Sequence, residues 1–331
     1  GLRPSRGDKI RAIGDRHRCG SKFCGATMYL CRMHSTDTSL QRSLSFMVLA
    51  SLMFALTGAI ARLLKDDYAS VHLVLFRNVI GVVFVLYWLY SKPPQQQGGR
   101  PWLLLFRGFI GTMALYFFFY GVTTIGLPES ITYQQSYPIF LALISSFWLG
   151  QRLNSAAWTA ITVGFVGLCL IFVPKMSSHA LEVKSHLIGI ANLLMTGMAY
   201  LSIRGLTKYY DNRTIVLSFM LCGIAFPILS MLLSTVYKGQ TLDFIIAPPV
   251  VPQWADLPLI LCLGIAALLG QVFLTNAFSH RNTGLIGAVG YSNIVFSIFF
   301  GVMIGDAMPD TTSLIGIVLI IMSGVVISMQ K

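Results

Sequence analysis

A long apolar segment with a polar interruption occurs twice in this chain. The first copy is GLPESITYQQSYPIFLALISSFWLGQRL at residues 126–153, and the second is TGLIGAVGYSNIVFSIFFGVMIGDAM at residues 283–308. Aligning Pro138 with Asn293 keeps the two copies in register without a gap along the apolar run. Each copy is too apolar for a helix of a soluble protein. The polar groups in its first half must therefore face protein or a cavity, because lipid offers them no hydrogen bonds.

Composition identifies the class of protein before any shorter motif is considered. Hydrophobic residues make up 55% of the chain and charged residues 11%, a balance typical of membrane proteins. A bilayer core of about 30 Å requires about 20 apolar residues per helix, so the chain has room for about ten spans. The predicted spans are 45–64, 71–90, 102–124, 129–149, 156–174, 187–207, 214–236, 256–278, 284–304 and 311–329.

The basic residues are distributed along the chain as a topology signal. The formal net charge is +12, and nine of the 24 Lys and Arg residues lie in residues 1–44. Lys and Arg recur in the loops after spans 2, 4, 6 and 8, where the only acid is Asp211. Because Lys and Arg set orientation, both termini are predicted to be cytoplasmic, and the cell (inner) membrane is the favoured location. This distribution fits orientation better than nucleic-acid binding, so no nucleic-acid partner is predicted.

Residues 1–44 are predicted to be a basic, disordered cytosolic tail. They lack the apolar core of about 7–15 residues that a secretory signal requires. Their cysteines and histidines lack the close paired spacing of a zinc site, so no metal or cofactor is predicted. An alternative interpretation of this segment is sequence upstream of a start at Met33.

Two further pairs of segments align in the same order. RGFIGTMALYFFFYGV, which begins at Arg107, aligns with LGIAALLGQVFLTNAF, which begins at Leu263. LKDDYASVHLVLFR, which ends at Arg77, aligns with LTKYYDNRTIVLSFM, which ends at Met220. Three aligned pairs of helices indicate an internal repeat and not a chance similarity between apolar segments.

The repeat predicts an all-α integral membrane protein with ten transmembrane helices arranged as two five-helix repeats. The first repeat covers residues 45–175 and the second covers residues 186–331. Each repeat contains an odd number of spans, so the two must have opposite orientations in the membrane. This is the inverted plan of many secondary transporters.

Several motifs carry a family resemblance over residues 45–331. They are Phe-Arg in span 2, RGFIG in span 3, YQQSYPIF followed by LGQR in span 4, and GQVFLTNAF in span 8. In this order they resemble the EamA-type drug/metabolite transporter superfamily. The resemblance implies a ten-helix carrier with both termini cytoplasmic and a central cavity lined by spans 1, 3, 4, 6, 8 and 9. The chain departs from the family at Gln151, where Glu is usual, and at Asn293, where Pro is common.

Polar residues of span 4 predict one wall of the cavity. Glu129, Tyr133 and Tyr137 recur every four residues and therefore share one helix face. Pro138 removes a backbone hydrogen bond, which leaves the carbonyl of Gln134 able to face a ligand or water. The equivalent face of span 9 carries small residues, for which close helix packing is an equal alternative.

Arg77 is the most unusual charge within the predicted spans. It lies about six residues inside span 2, roughly 9 Å deep at 1.5 Å per residue. An arginine at a helix centre costs about 2.5–3.5 kcal/mol, so a compensating group is expected. We expect Arg77 to pair with Glu129 in the empty carrier or to meet an anionic group of the cargo; a purely structural partner is the alternative. Arg107 and Arg204 are expected to extend toward lipid headgroups.

The predicted substrate-binding residues combine these positions with other polar groups inside the spans. They are Arg77, Tyr116, Tyr120, Glu129, Tyr133, Gln134, Tyr137, Tyr200, Asn276, Tyr291, Ser292 and Asn293. For each tyrosine or amide taken alone, a hydrogen bond between helices is the alternative role.

The predicted function is secondary transport of a small organic metabolite by alternating access through the cavity between the two inverted repeats. An amphiphilic cargo with anionic or zwitterionic groups suits the predicted residues, and protons are the candidate coupling ion. No phosphate loop, metalloprotease motif or nucleophile elbow occurs, so the chain is not predicted to be an enzyme. The alternative function is a multi-span membrane enzyme acting on a lipid or lipid-linked substrate, with Glu129 or His72 as acid or base.

Reporter fusions test the predicted topology. We expect a cytoplasmic signal after Lys92, Arg152, Lys208 and Arg281, and an external signal after Asp66, Glu182 and Asp243. The reason is that basic loops remain in the cytoplasm during insertion. An external signal after Arg152 would contradict the arrangement of ten spans.

Overall fold

The computed structural model describes the backbone of residues 21–95, 98–140, 154–172, 180–237, 239, 242–278 and 283–329. The chain forms two compact units, Gly1–Arg42 and Ser43–Lys331. Within the described residues all regular structure is α-helical. The helices are α1 Ser21–Leu63, α2 Ser70–Ser91, α3 Pro101–Thr124, α4 Leu127–Gln135, α5 Ser155–Phe172, α6 Ala180–Leu206, α7 Asn212–Leu233, α8 Leu257–Phe278, α9 Thr283–Gly290, α10 Ser292–Met303 and α11 Thr311–Met329.

The first helix extends further toward the N-terminus than the hydropathy pattern predicts. α1 begins at Ser21, within the segment expected to be a disordered tail. No proline occurs between Ser21 and Leu63, so nothing prevents the membrane helix from continuing upstream. Residues 21–44 thus belong to α1 in the structure, and their role as a cytosolic tail stays a prediction.

Length and hydropathy confirm an all-α integral membrane protein. Six helical segments of the described residues are long and apolar enough to cross a membrane, and three shorter ones are also apolar. The six are Leu40–Leu63, Ser70–Ser91, Pro101–Thr124, Val183–Ile203, Asn212–Leu233 and Leu257–Phe278. Large apolar side chains such as Val83, Phe299 and Val318 are exposed on the outer faces of their helices. Such surfaces are stable against lipid and costly against water.

The two copies of the repeated segment are interrupted at aligned positions. In the first copy, Ser136 forms a turn between α4 and a helical stretch at residues 137–140. In the second copy, Tyr291 forms the turn between α9 and α10. The interruption occurs in both copies although Pro138 is present only in the first. Residues 141–153, with the LGQR motif, lie outside the described part of the chain.

α5 and α11 touch through their backbones. A Cβ atom on Gly167 would lie 2.7 Å from the carbonyl oxygen of Gly316, and a Cβ atom on Gly316 would lie 2.6 Å from the carbonyl oxygen of Gly167. Ile320 packs on Gly167 as Ile171 packs on Gly316. The contact is reciprocal, as expected for two helices related by a local two-fold axis.

α2 and α7 cross with the same reciprocity. A Cβ atom on Gly81 would lie 2.6 Å from the terminal methyl of Met220, and one on Gly223 would lie 2.2 Å from the amide nitrogen of Asn78. Asn78 donates a hydrogen bond to the carbonyl oxygen of Val74 at 2.7 Å. A glycine on each helix thus packs against a side chain of the other helix.

The third matched contact joins α3 to α7 and α8 to α2. Gly108 of α3 packs against Cys222 of α7, and Gly264 of α8 packs against Ile80 of α2. Gly108 and Gly264 are aligned in the sequence repeat. These approaches bring α2, α3, α7 and α8 close together at the middle of the bundle, next to α1, α4 and α6, and they define the walls of an internal cavity.

Candidate functional site

A central cavity lies between helices of the first and second halves of the chain. α1 to α4 contribute to its walls from the first half, and α6, α7 and α8 contribute from the second. The polar side chains that line it are Thr57, Arg77, Arg107, Gln134, Thr196, Tyr200 and Gln271. The family resemblance implied walls from spans 1, 3, 4, 6, 8 and 9, but span 9 contributes none of the described residues that line the cavity. The structure adds spans 2 and 7, through Arg77 and Phe219.

Two buried arginines dominate the electrostatics of this cavity. Arg77 and Arg107 are each 2% exposed. The guanidinium carbon of Arg77 lies 5.6 Å from the ring centroid of Phe219, and that of Arg107 lies 4.6 Å from the same centroid. Nε and Nη2 of Arg77, and Nε and Nη1 of Arg107, have no hydrogen-bond partner in the described part of the chain.

The contacts with Phe219 do not compensate for the burial of two charges. A cation–π contact contributes about 2 kcal/mol when desolvated, whereas removing one ion from water costs several kcal/mol even after the protein relaxes. No Asp or Glu occurs among the described residues that line the cavity. The cavity therefore carries a strong positive potential.

Two glycines of the RGFIG motif place Arg107 in this position. Gly108 lets α3 approach Cys222 and the carbonyl oxygen of Ser218 on α7. A Cβ atom on Gly111 would lie 2.1 Å from Nη1 of Arg107 and 2.8 Å from the ring of Phe219. Because Gly111 lacks that atom, the guanidinium of Arg107 can fold along α3 and into the cavity.

Neutral polar groups complete the described walls. Thr57 donates a hydrogen bond to the carbonyl oxygen of Met53 at 2.7 Å, and Thr196 donates one to Oδ1 of Asn192 at 3.1 Å. The amides of Gln134 and Gln271 line the cavity from α4 and α8. The cavity thus offers hydrogen-bond donors and acceptors beside its two positive charges.

The structure brings four of the predicted substrate-binding residues to this cavity or its edge. Arg77, Gln134 and Tyr200 line it. Tyr137 contacts Tyr200 edge to face, with ring centroids 5.0 Å apart. These residues come from α2, the interrupted span 4 and α6, which are distant in the chain.

Other predicted residues form hydrogen bonds to neighbouring helices or loops. The pairs are Tyr116 with Ser230 at 3.2 Å, Tyr120 with Asp243 at 3.4 Å, Tyr133 with His186 at 2.9 Å and Asn276 with Asn212 at 3.1 Å. These contacts match the alternative role stated for single tyrosines and amides, in which they join helices.

Three further predicted residues, Tyr291, Ser292 and Asn293, lie at the turn between α9 and α10 and at the start of α10. Tyr291 and Asn293 are buried there, and Ser292 lies between them. The hydroxyl of Tyr291, Oγ of Ser292 and Oδ1 of Asn293 have no hydrogen-bond partner in the described residues. The interruption of span 9 therefore presents buried polar atoms that could donate hydrogen bonds to, or accept them from, a group not seen among the described residues.

Two expectations about arginines require correction. Arg77 is not paired with Glu129: it lies over Phe219 beside Arg107, and it forms no ion pair within the described part of the chain. Glu129 lies at the start of α4, beside Gly126 and Asp306. Arg107 does not extend toward headgroups, because the groove left by Gly111 lets it turn inward.

Sequence reasoning did not assign Arg107 and Gln271 to the site. Arg107 could have been recognised because Gly111, four positions later, leaves space on the same face of the helix. Gln271 shares its apolar span with a second amide, Asn276, and nothing in the surrounding sequence distinguishes Gln271 from an amide that joins two helices.

An ion pair closes the end of the bundle that is predicted to be external. Nε of Arg62 donates to Oδ1 of Asp306 at 2.8 Å, and the two side chains are only 17% and 12% exposed. Nη1 of Arg62 donates to the carbonyl oxygens of Val122 at 2.9 Å and Thr123 at 2.7 Å. Oδ2 of Asp306 accepts from the backbone N–H of Leu127 at 3.2 Å. We call this cluster the Arg62–Asp306 seal, and it joins spans 1, 3, 4 and 9.

Residues 242–256 cover the same end of the bundle. Their contacts are Tyr68 with Asp256 at 2.7 Å, Ser70 with the carbonyl of Phe244 at 3.1 Å, His72 with the carbonyl of Pro248 at 2.7 Å, and an ion pair between Asp243 and Lys184. Burial raises the pKa of Tyr68, so its hydroxyl stays protonated and able to donate.

A second cavity lies toward the predicted cytoplasmic end. It is lined by residues of α7 and α8 that include Val216 and Thr275. Each of these lies one helical turn from a residue of the central cavity, Phe219 on α7 and Gln271 on α8. The second cavity therefore lies on the side of the central cavity opposite the seal.

Helices that surround a buried, charged cavity define an integral membrane protein with an internal cavity. Residues 41–173 match the EamA-like transporter family. An uncharacterized transporter of Helicobacter pylori strain J99 is 29% identical over 86% of this chain and 94% of the relative. The pseudopaline exporter of Pseudomonas aeruginosa is 28% identical over 86% of this chain and 95% of the relative.

More distant comparisons agree. An S-adenosylmethionine uptake transporter of Rickettsia conorii is 22% identical over 74% of this chain and 77% of the relative. A solved crystal structure superposes with a TM-score of 0.57 over 88% of this chain and 96% of that chain, at 16% identity, which shows a shared fold. The protein is a membrane transporter. The comparisons confirm the predicted resemblance to the EamA-type drug/metabolite transporter superfamily.

Thermal unfolding distinguishes a charge that lacks a partner from one that has a partner. We expect Arg107→Met to raise the Tm of the ligand-free protein, because replacing a buried charge by an apolar side chain of similar length often stabilises by about 1–4 kcal/mol. Arg62→Met is the matched control. It should lower the Tm, because it leaves the part-buried Asp306 without its cation, at a cost of about 1–3 kcal/mol. A loss of Tm in both variants would show that Arg107 is already satisfied.

Proposed function

We propose that this protein is a secondary transporter that moves a small organic metabolite by alternating access through the central cavity, between two inverted five-helix repeats. The repeats comprise residues 45–175 and 186–331, both termini lie in the cytoplasm, and residues 1–44 form a cytosolic extension. The observation that carries the proposal is the buried polar cavity, which has walls from both halves and a seal at one end.

The reciprocal contacts support two inverted repeats. α5 with α11 and α2 with α7 each meet through one glycine of either helix, and the aligned Gly108 and Gly264 each approach a side chain of the other half. The aligned turns at Ser136 and Tyr291 add a fourth correspondence. Two structurally similar halves that exchange roles are the usual basis of alternating access.

The positions of the seal and of the second cavity favour an inward-facing arrangement. The Arg62–Asp306 seal and residues 242–256 close the predicted external end, while the second cavity lies toward the predicted cytoplasmic end. A carrier in this conformation would exchange cargo with the cytoplasm.

The similar proteins support transport but leave the cargo and the direction open. One relative is described as an exporter of pseudopaline and another as an uptake transporter for S-adenosylmethionine. Two different cargoes and opposite directions occur among relatives of comparable fold. The cargo of this chain must therefore be deduced from its own cavity.

In the alternative function as a membrane enzyme, His72 and Glu129 were the candidate acid or base, and His72 is already engaged in hydrogen bonds. Nδ1 of His72 accepts from the backbone N–H of Ala69 at 3.1 Å, so Nε2 carries the proton and donates to the carbonyl of Pro248 at 2.7 Å. Both ring nitrogens are thus engaged in capping α2 and anchoring residues 242–256. Glu129 is not among the described residues that line the cavity.

Transport by the purified protein in liposomes tests the proposal. We expect saturable uptake with counterflow from a mixture of labelled metabolites. Gly111→Leu should abolish uptake in correctly inserted protein, because its side chain would occupy the space of Arg107 and Phe219. Gly205→Ala is the control, since the nearest atom to its Cβ is the flexible end of Leu103 at 3.3 Å. Product formation without a second compartment would support the enzyme instead.

Cysteine accessibility tests the role of the seal. In a variant that retains only an introduced Thr57→Cys, an impermeant maleimide added from outside should label slowly. Asp306→Asn should increase the labelling rate about tenfold, because the charge-assisted bonds that it weakens are worth about 1–3 kcal/mol. Asp66→Asn, which removes an exposed acid at the same end, is the control. Equal rates in Asp306→Asn and the parent would contradict the proposed seal.

A further inference from the structure

We propose that the central cavity binds an organic anion through a carboxylate held by Arg77 and Arg107. This inference rests on the proposed function, because it names the chemical class of the cargo for the same cavity. Each arginine is 2% exposed, lines the cavity and retains nitrogens without a hydrogen-bond partner in the described residues.

The unsatisfied nitrogens of Arg77 define the shape of the partner. Nε and Nη2 lie on the same edge of the guanidinium plane, and both lack a hydrogen-bond partner in the described residues. Two parallel N–H groups on one edge match the two oxygens of a carboxylate in a planar, bidentate arrangement. A lysine at this position could supply the charge but not the two parallel donors.

Arg107 adds a second positive charge beside that of Arg77. Both guanidinium carbons lie within cation–π distance of one ring, that of Phe219, so the two cations are neighbours. Like charges that share a buried site repel each other, and a carboxylate that meets both removes this repulsion. A bound carboxylate is therefore expected to stabilise this pair of arginines more than it would stabilise an isolated arginine.

The rest of the cavity argues against a cationic or zwitterionic cargo. No carboxylate occurs among its described lining residues, so an ammonium group would find no ionic partner there. Gln134, Gln271 and Tyr200 provide neutral hydrogen-bonding groups, and apolar residues such as Phe118 provide a surface for carbon chains. This arrangement fits a carboxylate at one end and a neutral, partly apolar body.

Three four-carbon probes separate charge from size. Succinate, succinamide and 1,4-diaminobutane have similar lengths and carry negative, neutral and positive ends. We expect succinate to raise the Tm of the full-length protein in detergent and the other two to leave it unchanged, since a ligand that binds the native state stabilises it. Stabilisation by succinamide or diaminobutane equal to that by succinate would overturn the proposal. Tighter binding of inorganic phosphate than of succinate would contradict a carboxylate site.

Variants assign the binding to the two arginines. Arg77→Gln and Arg107→Gln should each weaken succinate affinity about tenfold or more, as expected for loss of charge-assisted hydrogen bonds. Arg77→Lys should weaken it nearly as much, because the bidentate edge is lost although the charge remains. Arg100→Gln is the matched control: Arg100 also lies over an aromatic ring, that of Tyr209 at 5.0 Å, but it is exposed and outside the cavity. Unchanged affinity in Arg77→Gln and Arg107→Gln would refute the assignment.

The binding measurement and the transport measurement test the anion site and the transport function separately. Succinate binding that depends on the arginines, without counterflow in liposomes, would preserve the anion site and remove the transport function. Saturable counterflow of a neutral or cationic solute, with no binding of succinate, would preserve transport and remove the anion site.

Discussion

Two guanidinium groups are buried against one phenyl ring, and the helices around the cavity are arranged to hold them there. Arg77 of α2 and Arg107 of α3 meet Phe219 of α7, so three helices from both halves must approach closely at this point. Glycines make the approach possible, because Gly111 leaves space for a guanidinium and Gly108 lets α3 reach α7. A protein selected only for stability would place apolar side chains here. The arginines are therefore best explained by the chemistry of the cavity.

The scaffold is repeated but its charged groups are not. The sequence repeat aligns Arg77 with Met220 and Arg107 with Leu263, so the positive charge comes from the first half alone. The acid of the seal is also found in one copy, since Asp306 at the end of span 9 is aligned with the neutral Gln151 at the end of span 4. Similar halves can exchange positions at little cost in packing, whereas such single charges can make the two conformations unequal in energy.

Most of the fold could be predicted from the sequence because its signals are local. Apolar runs define the helices, and the repeated segment with its polar cluster marks the interruptions later seen at Ser136 and Tyr291. The site was predicted only in part. Periodicity shows which residues share a face of one helix, but not which neighbour that face meets. Tyr133 shares a face with Tyr137, yet it bonds to His186, and Arg77 turned toward Arg107 instead of Glu129. The partner of a buried group depends on how the helices pack. Glycines such as Gly111 control that packing because they leave space for neighbouring side chains.

The division of the cavity between the halves constrains how a bound anion could cross the membrane. Both arginines belong to the first half and Phe219 belongs to the second. If the halves rotate against each other, Arg77 and Arg107 move together, and a carboxylate bound by both remains held. Their contacts with Phe219 cross between the halves and must change. A ligand shifts a conformational equilibrium only through contacts that differ between the two states. The arginines are thus suited to retain the cargo, and the groups opposite them are suited to couple its presence to the movement.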